Sequence, residues 1–167
     1  AGKMWRYLRV DPEATQNTVA IVGFPRSGTS TVSGLVAQAG YNFGGDERPA
    51  DHDNPGGYFE HRPFVRLTRI FFAEAGLDKT FALRDGDSLR AKGIFNRYKR
   101  VWTRIRAVDL INKLSRSYDR WAAKFFPNGF YFWDQYLPKS KLICVYREPI
   151  ASAHSLLRKW PASLSFD

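Results

Sequence analysis

Cysteine is almost absent from this chain of 167 residues, and Cys144 alone excludes an intramolecular disulfide framework and argues against a cysteine-built metal site. A reducing, cytoplasmic setting is the expectation that follows. Long apolar runs are missing too, since no stretch approaches the roughly 20 residues that a membrane span requires. The first ten residues mix Lys3, Arg6 and Arg9 with single apolar positions, so they do not read as a signal peptide. Acidic residues are scarce relative to basic ones, 16 against 26, and the formal charge of +10 favours an anionic partner without choosing its kind.

What the chain has in quantity is apolar and aromatic side chains. Thirteen Phe, eight Tyr and five Trp place it among folded proteins rather than disordered ones. A globule of this length buries about 70% of its unfolded surface, enough for one core. No internal repeat, low-complexity segment or linker interrupts the sequence, so residues 1–167 are expected to form a single α/β domain.

Thr18 to Val22 is a short apolar and β-branched run that stops at Gly23, the pattern of a buried strand in a parallel sheet. Beyond the turn, Val32, Leu35, Val36 and Ala39 recur at helical spacing, and Gly40 stands where a left-handed cap is needed. The Gly-, Pro- and Asp-rich segment from Phe43 to Tyr58 reads as an ordered surface loop. Pro63 suits the start of a helix with Phe64, Leu67, Phe71 and Ala75 as its buried stripe and Gly76 as its stop. From about Ser88 to Phe126 one or two further helices are expected, with Ile94, Tyr98, Val101, Ile105, Val108 and Leu114 on one side. Arg97, Arg100, Arg104, Lys113, Arg116 and Arg120 fall largely outside that stripe. Pro127-Asn128-Gly129 reads as the end of the helical region and Phe130 to Trp133 as a strand. Lys141 to Arg147 reads as a strand, and a helix with Ile150, Ala153, Leu156 and Leu157 follows Pro149.

The segment Gly23-Phe24-Pro25-Arg26-Ser27-Gly28-Thr29-Ser30 lies between a strand and a helix, the context in which a glycine turn carries weight. Amide groups at a helix start lack intrahelical partners and the helix dipole is positive there, so a phosphate is stabilised. Gly28 permits close approach of the backbone, Ser27 belongs to the same cradle, and Thr29 and Ser30 offer hydroxyls. A nucleoside triphosphatase loop requires Lys where Thr29 stands, so that reading fails at its central residue. The cation available here is Arg26.

The Phe24 to Thr29 segment resembles the 5′-phosphosulfate-binding loop of the sulfotransferase family, in which Pro-Lys/Arg-Ser-Gly-Thr follows a strand. That resemblance implies 3′-phosphoadenosine 5′-phosphosulfate (PAPS) as co-substrate, no metal, and a three-layer α/β/α fold with a short parallel sheet and a P-loop-like phosphate-binding loop. PAPS carries a second, 3′-phosphate, which needs its own anion site. In the family that site has Arg at a strand end, Pro shortly after and Ser eight residues on, and Arg147, Pro149 and Ser155 match it. An Arg fork with a Ser hydroxyl suits one phosphate.

Sulfuryl transfer needs charge stabilisation on the leaving phosphate, for which Arg26, Thr29 and Ser30 are candidates, and a base for the acceptor proton. Asn54-Pro55-Gly56-Gly57-Tyr58-Phe59-Glu60 resembles a segment common in bacterial sulfotransferase-like proteins, and the resemblance implies Glu60 as that base, ahead of His61. Asp51-His52-Asp53 reads as a solvated turn rather than a metal site. The resemblance covers residues 18–60 and 139–160. Two family features are missing from it, the C-terminal Gly-rich basic segment and the Lys-x-Pro element sought at Phe132 to Gln135.

The reading is a sulfotransferase acting on a hydroxyl or amine of a small-molecule or saccharide acceptor. The alternatives are a PAPS-binding protein without catalysis and a small-molecule kinase with a variant loop. The basic helices of residues 88–126 read as solvated faces in preference to a nucleic-acid or membrane surface.

Overall fold

The computed structural model describes residues 9–75 and 94–159. It is an α/β fold built on a three-stranded parallel sheet flanked by helices. The strands are β1 (Thr18–Gly23), β2 (Trp121–Phe125) and β3 (Lys141–Val145), in the order β2-β1-β3. The helices are α1 (Thr29–Gln38), α2 (Arg62–Ala75), α3 (Ile94–Ser117), α4 (Pro127–Trp133) and α5 (Pro149–Lys159).

β1 is central and buried along its whole length, which is why its sequence is apolar without alternation. Its residues nonetheless alternate between two cores. Val19 and Ile21 join Ala122 and Phe43, with Val32 and Val36 of α1 packed against them. Ala20 and Val22 join Ala123 and Phe125, together with Phe64 of α2, Ile111 of α3 and Trp133 of α4. The second core is rich in rings: Phe64 meets Trp133 edge-on at 4.6 Å and Phe71 stacks on Phe132 at 4.3 Å. Both of its buried indoles are satisfied in place, since the Trp133 indole donates to Thr68 Oγ1 and the Trp121 indole to Ser115 Oγ.

Several expectations hold. β1, α1, β3 and α5 lie where the apolar pattern put them, Gly40 has a φ of 88° just past α1, and Pro63 sits in the first turn of α2. The stripe of α2 is shifted in part, since Phe72 is buried alongside Phe64 and Leu67 while Phe71 is half-buried.

Two expectations are corrected. Trp121–Phe125 is not the tail of a helix but strand β2, in register with β1 from Thr18 opposite Trp121 to Val22 opposite Phe125. Alanines and aromatics there pack on both sheet faces, a demand that only the partner strand reveals. Phe130 to Trp133 is helical, because Pro127 opens α4 rather than ending a helix. Phe126 is extended at the N-cap, and its carbonyl accepts from the Phe130 amide. Gly129 lets α4 approach α2, as a Cβ there would come within 3.1 Å of Thr68 Cγ2. In α3 the stripe is broader than expected: Ala107, Leu110 and Ile111 are buried with Val108 and Leu114, Ile105 is half-buried and Val101 is exposed. Gly76, residues 88–93, and the side chains of Ala75, Ile94, Tyr98, Arg97 and Arg100 lie outside the described residues. Among the described residues no helix is long and apolar enough to cross a membrane.

Candidate functional site

The turn between β1 and α1 is held open by its own backbone. Arg26 (φ 66°) and Gly28 (φ 99°) both adopt the left-handed region, and Gly28 is the N-cap of α1. Gly23 is required by space instead. A Cβ on it would stand 2.8 Å from the Val145 carbonyl and 2.6 Å from Thr29 Cγ2. The Ser27 hydroxyl donates to the Phe24 carbonyl at 2.7 Å, so this side chain braces the turn, and Ser33 Oγ braces the first turn of α1 through the Thr29 carbonyl. The leading amides of α1 have no intrahelical acceptor.

Because β1 and β3 are adjacent and parallel, their C-terminal ends deliver Arg26 and Arg147 to one edge of the sheet. Arg26 Nε donates to Ser155 Oγ at 2.9 Å, and Arg147 Nη1 donates to the Arg26 carbonyl at 3.1 Å. Ser155 is buried on α5, Arg26 half-buried and Arg147 exposed. Neither guanidinium forms an ion pair with a carboxylate among the described residues. Glu148, the nearest acid in sequence, accepts from the Ile150 and Ala151 amides and caps α5. Those two amides hold its carboxyl below the usual range, with the charges of His154 and Arg147 adding to them.

On the other side of the loop stands a residue that sequence reading passed over. Lys124 of β2 reaches Ser30 Oγ at 3.2 Å, the Tyr58 carbonyl and Glu60 Oε1 at 3.3 Å. Its side chain is 7% exposed, and burial lowers its pKa from the ordinary lysine value, with Glu60 opposing that shift and Arg48 adding to it. Three acceptors around three N–H bonds favour the charged ammonium. The only available signal was one lysine inside an otherwise apolar run, Trp121-Ala122-Ala123-Lys124-Phe125.

Glu60 is brought to the turn between β1 and α1, through Lys124 rather than directly. Phe59, at φ 54°, turns the chain inward just before it and packs on Phe43 at 5.2 Å. A cavity of about 40 Å³ is lined by Gly23 and Thr29 of the loop, by Glu60 and Lys124, and by the rings of Phe64 and Phe125. His61 points elsewhere: it is buried against Phe64 and Gly44, with Nδ1 lacking a hydrogen-bond partner. Burial lowers its pKa, with Asp46 opposing and Lys113 reinforcing that shift.

Asp51, His52 and Asp53 bring ligand atoms within 4.8 Å of one another. The Asp51 carboxylate is already engaged, accepting from the Tyr58 hydroxyl, from the Asp53 and Asn54 amides and from Arg48. It staples the loop, over which Arg48 stacks on the Tyr58 ring at 3.8 Å.

Comparison with family models, with curated proteins and with solved structures finds no match. The functional reading therefore rests on the site itself.

Proposed function

We propose that this chain is a PAPS-dependent sulfotransferase with a three-layer α/β/α nucleotide-binding fold and a P-loop-like anion cradle. The observation that carries the reading is the pair of cationic clusters flanking one loop: Arg26, Arg147 and Ser155 on one side, Lys124 with Ser30 on the other. A donor with phosphates at both its 3′ and 5′ positions matches two clusters, whereas a nucleotide with one phosphate chain matches one. The loop amides, Gly28, Thr29 and Ser30 would take the 5′-phosphosulfate, with Ser27 bracing them. Arg147 and Ser155 would take the 3′-phosphate.

In the transfer, the acceptor oxygen or nitrogen attacks sulfur, the bond from sulfur to the bridging phosphate oxygen breaks, and that oxygen leaves with the electron pair. Lys124 and the loop amides stabilise the charge gathering on the leaving phosphate. Glu60 takes the acceptor proton, with Lys124 holding its Oε1. The products are adenosine 3′,5′-bisphosphate and the sulfated acceptor. The mechanism routes no step through a metal. The exposed free thiol of Cys144 supports a reducing, cytoplasmic location.

The same Glu60–Lys124 pair favours a second reading, in which the cradle binds nucleotide without transfer because its carboxylate is occupied. Two measurements decide. Adenosine 3′,5′-bisphosphate should raise the melting temperature well beyond ATP or AMP, and equal shifts would overturn the nucleotide class. Labelled sulfate from PAPS appearing on a hydroxyl or amine acceptor would remove the binding-only reading. Its absence across a panel of phenols, amines and saccharides, with tight bisphosphate binding retained, would establish that reading.

A further inference from the structure

α2 carries its charge in an arrangement that local physics disfavours. The exposed positions from Arg62 to Arg69 are all arginine: Arg62, Arg66 and Arg69. They stand at i, i+4 and i+7, so the three share one face over about 10 Å of helix axis. Like charges at this spacing destabilise a helix, and a cation in the first turn opposes the dipole. No acid stands in that turn to compensate. Glu74, the one carboxylate of α2, faces α3, where it accepts from the Thr103 hydroxyl at 2.7 Å. Arg62 pairs with Asp46 at 3.6 Å, while Arg66 and Arg69 meet no carboxylate among the described residues.

The row borders the cavity that holds Glu60. Val65 lines that cavity, and Arg62 and Arg69 are its i−3 and i+4 neighbours, one turn away on either side along the same face. Glu60, Val65 and Phe126 of the lining are half-buried whereas Phe64 and Phe125 are buried, so the cavity reaches the surface beside the arginines. Its volume of about 40 Å³ holds about three waters, enough for a reacting hydroxyl or amine and the atoms next to it but not for a sugar ring. Inside, Thr29, Glu60 and Lys124 are assigned to the transfer, and the Thr68 hydroxyl is spent on the Phe64 carbonyl and the Trp133 indole. The body of an acceptor is therefore read outside the cavity, where the unpaired side chains are guanidinium groups.

We propose that Arg66 and Arg69, with Arg62, bind an acidic saccharide acceptor, whose carboxylates or sulfates lie along α2 while one hydroxyl or amine enters the cavity at Glu60. Such a chain repeats acid groups and free hydroxyls together, as a row of cations leading to a base requires. In a DNA strand the sugar hydroxyls are consumed in the phosphodiesters. The proposal rests on the sulfotransferase reading above and names its acceptor class.

The test is calorimetry with adenosine 3′,5′-bisphosphate saturating and three probes of one length: hexagalacturonate, neutral maltohexaose and a DNA hexanucleotide. Hexagalacturonate should bind at least about tenfold more tightly than maltohexaose. Arg66→Gln and Arg69→Gln should each weaken it about two- to fivefold, the worth of an exposed ion pair, and together by about the product of the two losses. Lys141→Gln removes the same charge at the exposed start of β3, the end of the sheet away from the loop, and should leave binding unchanged. Melting temperatures without ligand check the folding of each variant. With labelled PAPS, sulfate should pass to hexagalacturonate in preference to maltohexaose, and Arg69→Gln should raise KM with kcat within about twofold of wild type. Equal affinity for the acidic and neutral saccharides, or equal losses from Lys141→Gln and Arg69→Gln, would overturn the inference. DNA binding as tight as that of hexagalacturonate, with the same loss in Arg69→Gln, would make the row a general polyanion surface and overturn it too. Failure of the bisphosphate to raise the melting temperature has a different signature, visible before any saccharide is added, and overturns the sulfotransferase reading itself.

Discussion

Arg26 on the first loop and Ser155 on the last described helix are 129 residues apart in sequence and joined by a hydrogen bond of 2.9 Å. The bond exists because β1 and β3 run parallel and in register, Gly23 opposite Val145, so the segments leaving their ends emerge side by side. A strained loop residue is thereby fastened to a buried hydroxyl. In the absence of nucleotide, Arg26→Gly trades that bond, worth about 1 kcal/mol, against relief of a left-handed conformation costing about the same. Its stability measured by urea unfolding should stay within about 1 kcal/mol of wild type, and a much larger loss would mean the residue is mainly structural.

Gly23 and Gly28 should fail for different reasons. A Cβ at Gly23 collides with the Val145 carbonyl and the Thr29 side chain, so Gly23→Ala pushes β1 from β3 and should destabilise by about 1–3 kcal/mol. At Gly28 nothing lies within 4 Å of a new Cβ, and the cost is the φ of 99° alone. Gly28→Ala should destabilise by about 1 kcal/mol and deform the anion cradle. Paired urea melts rank the two.

Lys124 and Glu60 are unequal partners. Removing the ammonium by Lys124→Met leaves a half-buried carboxylate uncompensated and frees Ser30 and the Tyr58 carbonyl, at about 3 kcal/mol. Glu60→Gln keeps an acceptor for Lys124 and should cost less, while lowering sulfuryl transfer about 10²- to 10⁴-fold with nucleotide binding retained. A Glu60→Gln protein with near-normal turnover would remove the carboxylate from the chemistry.

His61 makes stability depend on mild acid. Burial holds its folded pKa below the unfolded value of about 6.5, so on acidification the unfolded chain takes up the proton first. Stability should therefore fall as pH drops below about 6.5 and level off below the folded pKa. Melting temperatures across pH 7.5 to 5 measure the slope, and His61→Gln should flatten it. Asp46, Lys113 and the Arg62–Asp46 ion pair are the charges facing this ring, so the slope should change when Asp46 is replaced by Asn.

Tyr136 is buried with its hydroxyl lacking a hydrogen-bond partner, and burial pushes its pKa up to about 12. Tyr136→Phe removes an unsatisfied polar atom without leaving a cavity, so stability should be unchanged or higher by about 1 kcal/mol. The stability that the wild-type ring loses between pH 10 and about 12, as the unfolded phenol ionises before the folded one, should disappear from the variant.

How far the chain could be read depended on the range of the interactions. β1 with α1, and β3 with α5, are local units: an apolar run, a glycine or proline punctuation mark and a helical repeat lie within a few residues of one another. β2 is short and follows a long helix, so its apolar residues continue a helical spacing until β1 supplies backbone partners. Pro127 is compatible with a stop or a start, and only packing of α4 against α2 through Gly129 and Thr68 selects the start. Lys124 is one of 26 basic residues, marked only by the apolar run around it. Its three contacts come from Ser30, Tyr58 and Glu60, all far away in sequence.

By itself the sequence determined the parallel α/β character and the glycine turn with its cation, because these depend on side-chain chemistry and short-range periodicity. Tertiary structure alone decided that Lys124 binds Glu60 and Ser30, that Ser27 turns inward, and that Arg26 faces Ser155. Each of those depends on strand order and register, which bring together atoms that no local pattern relates.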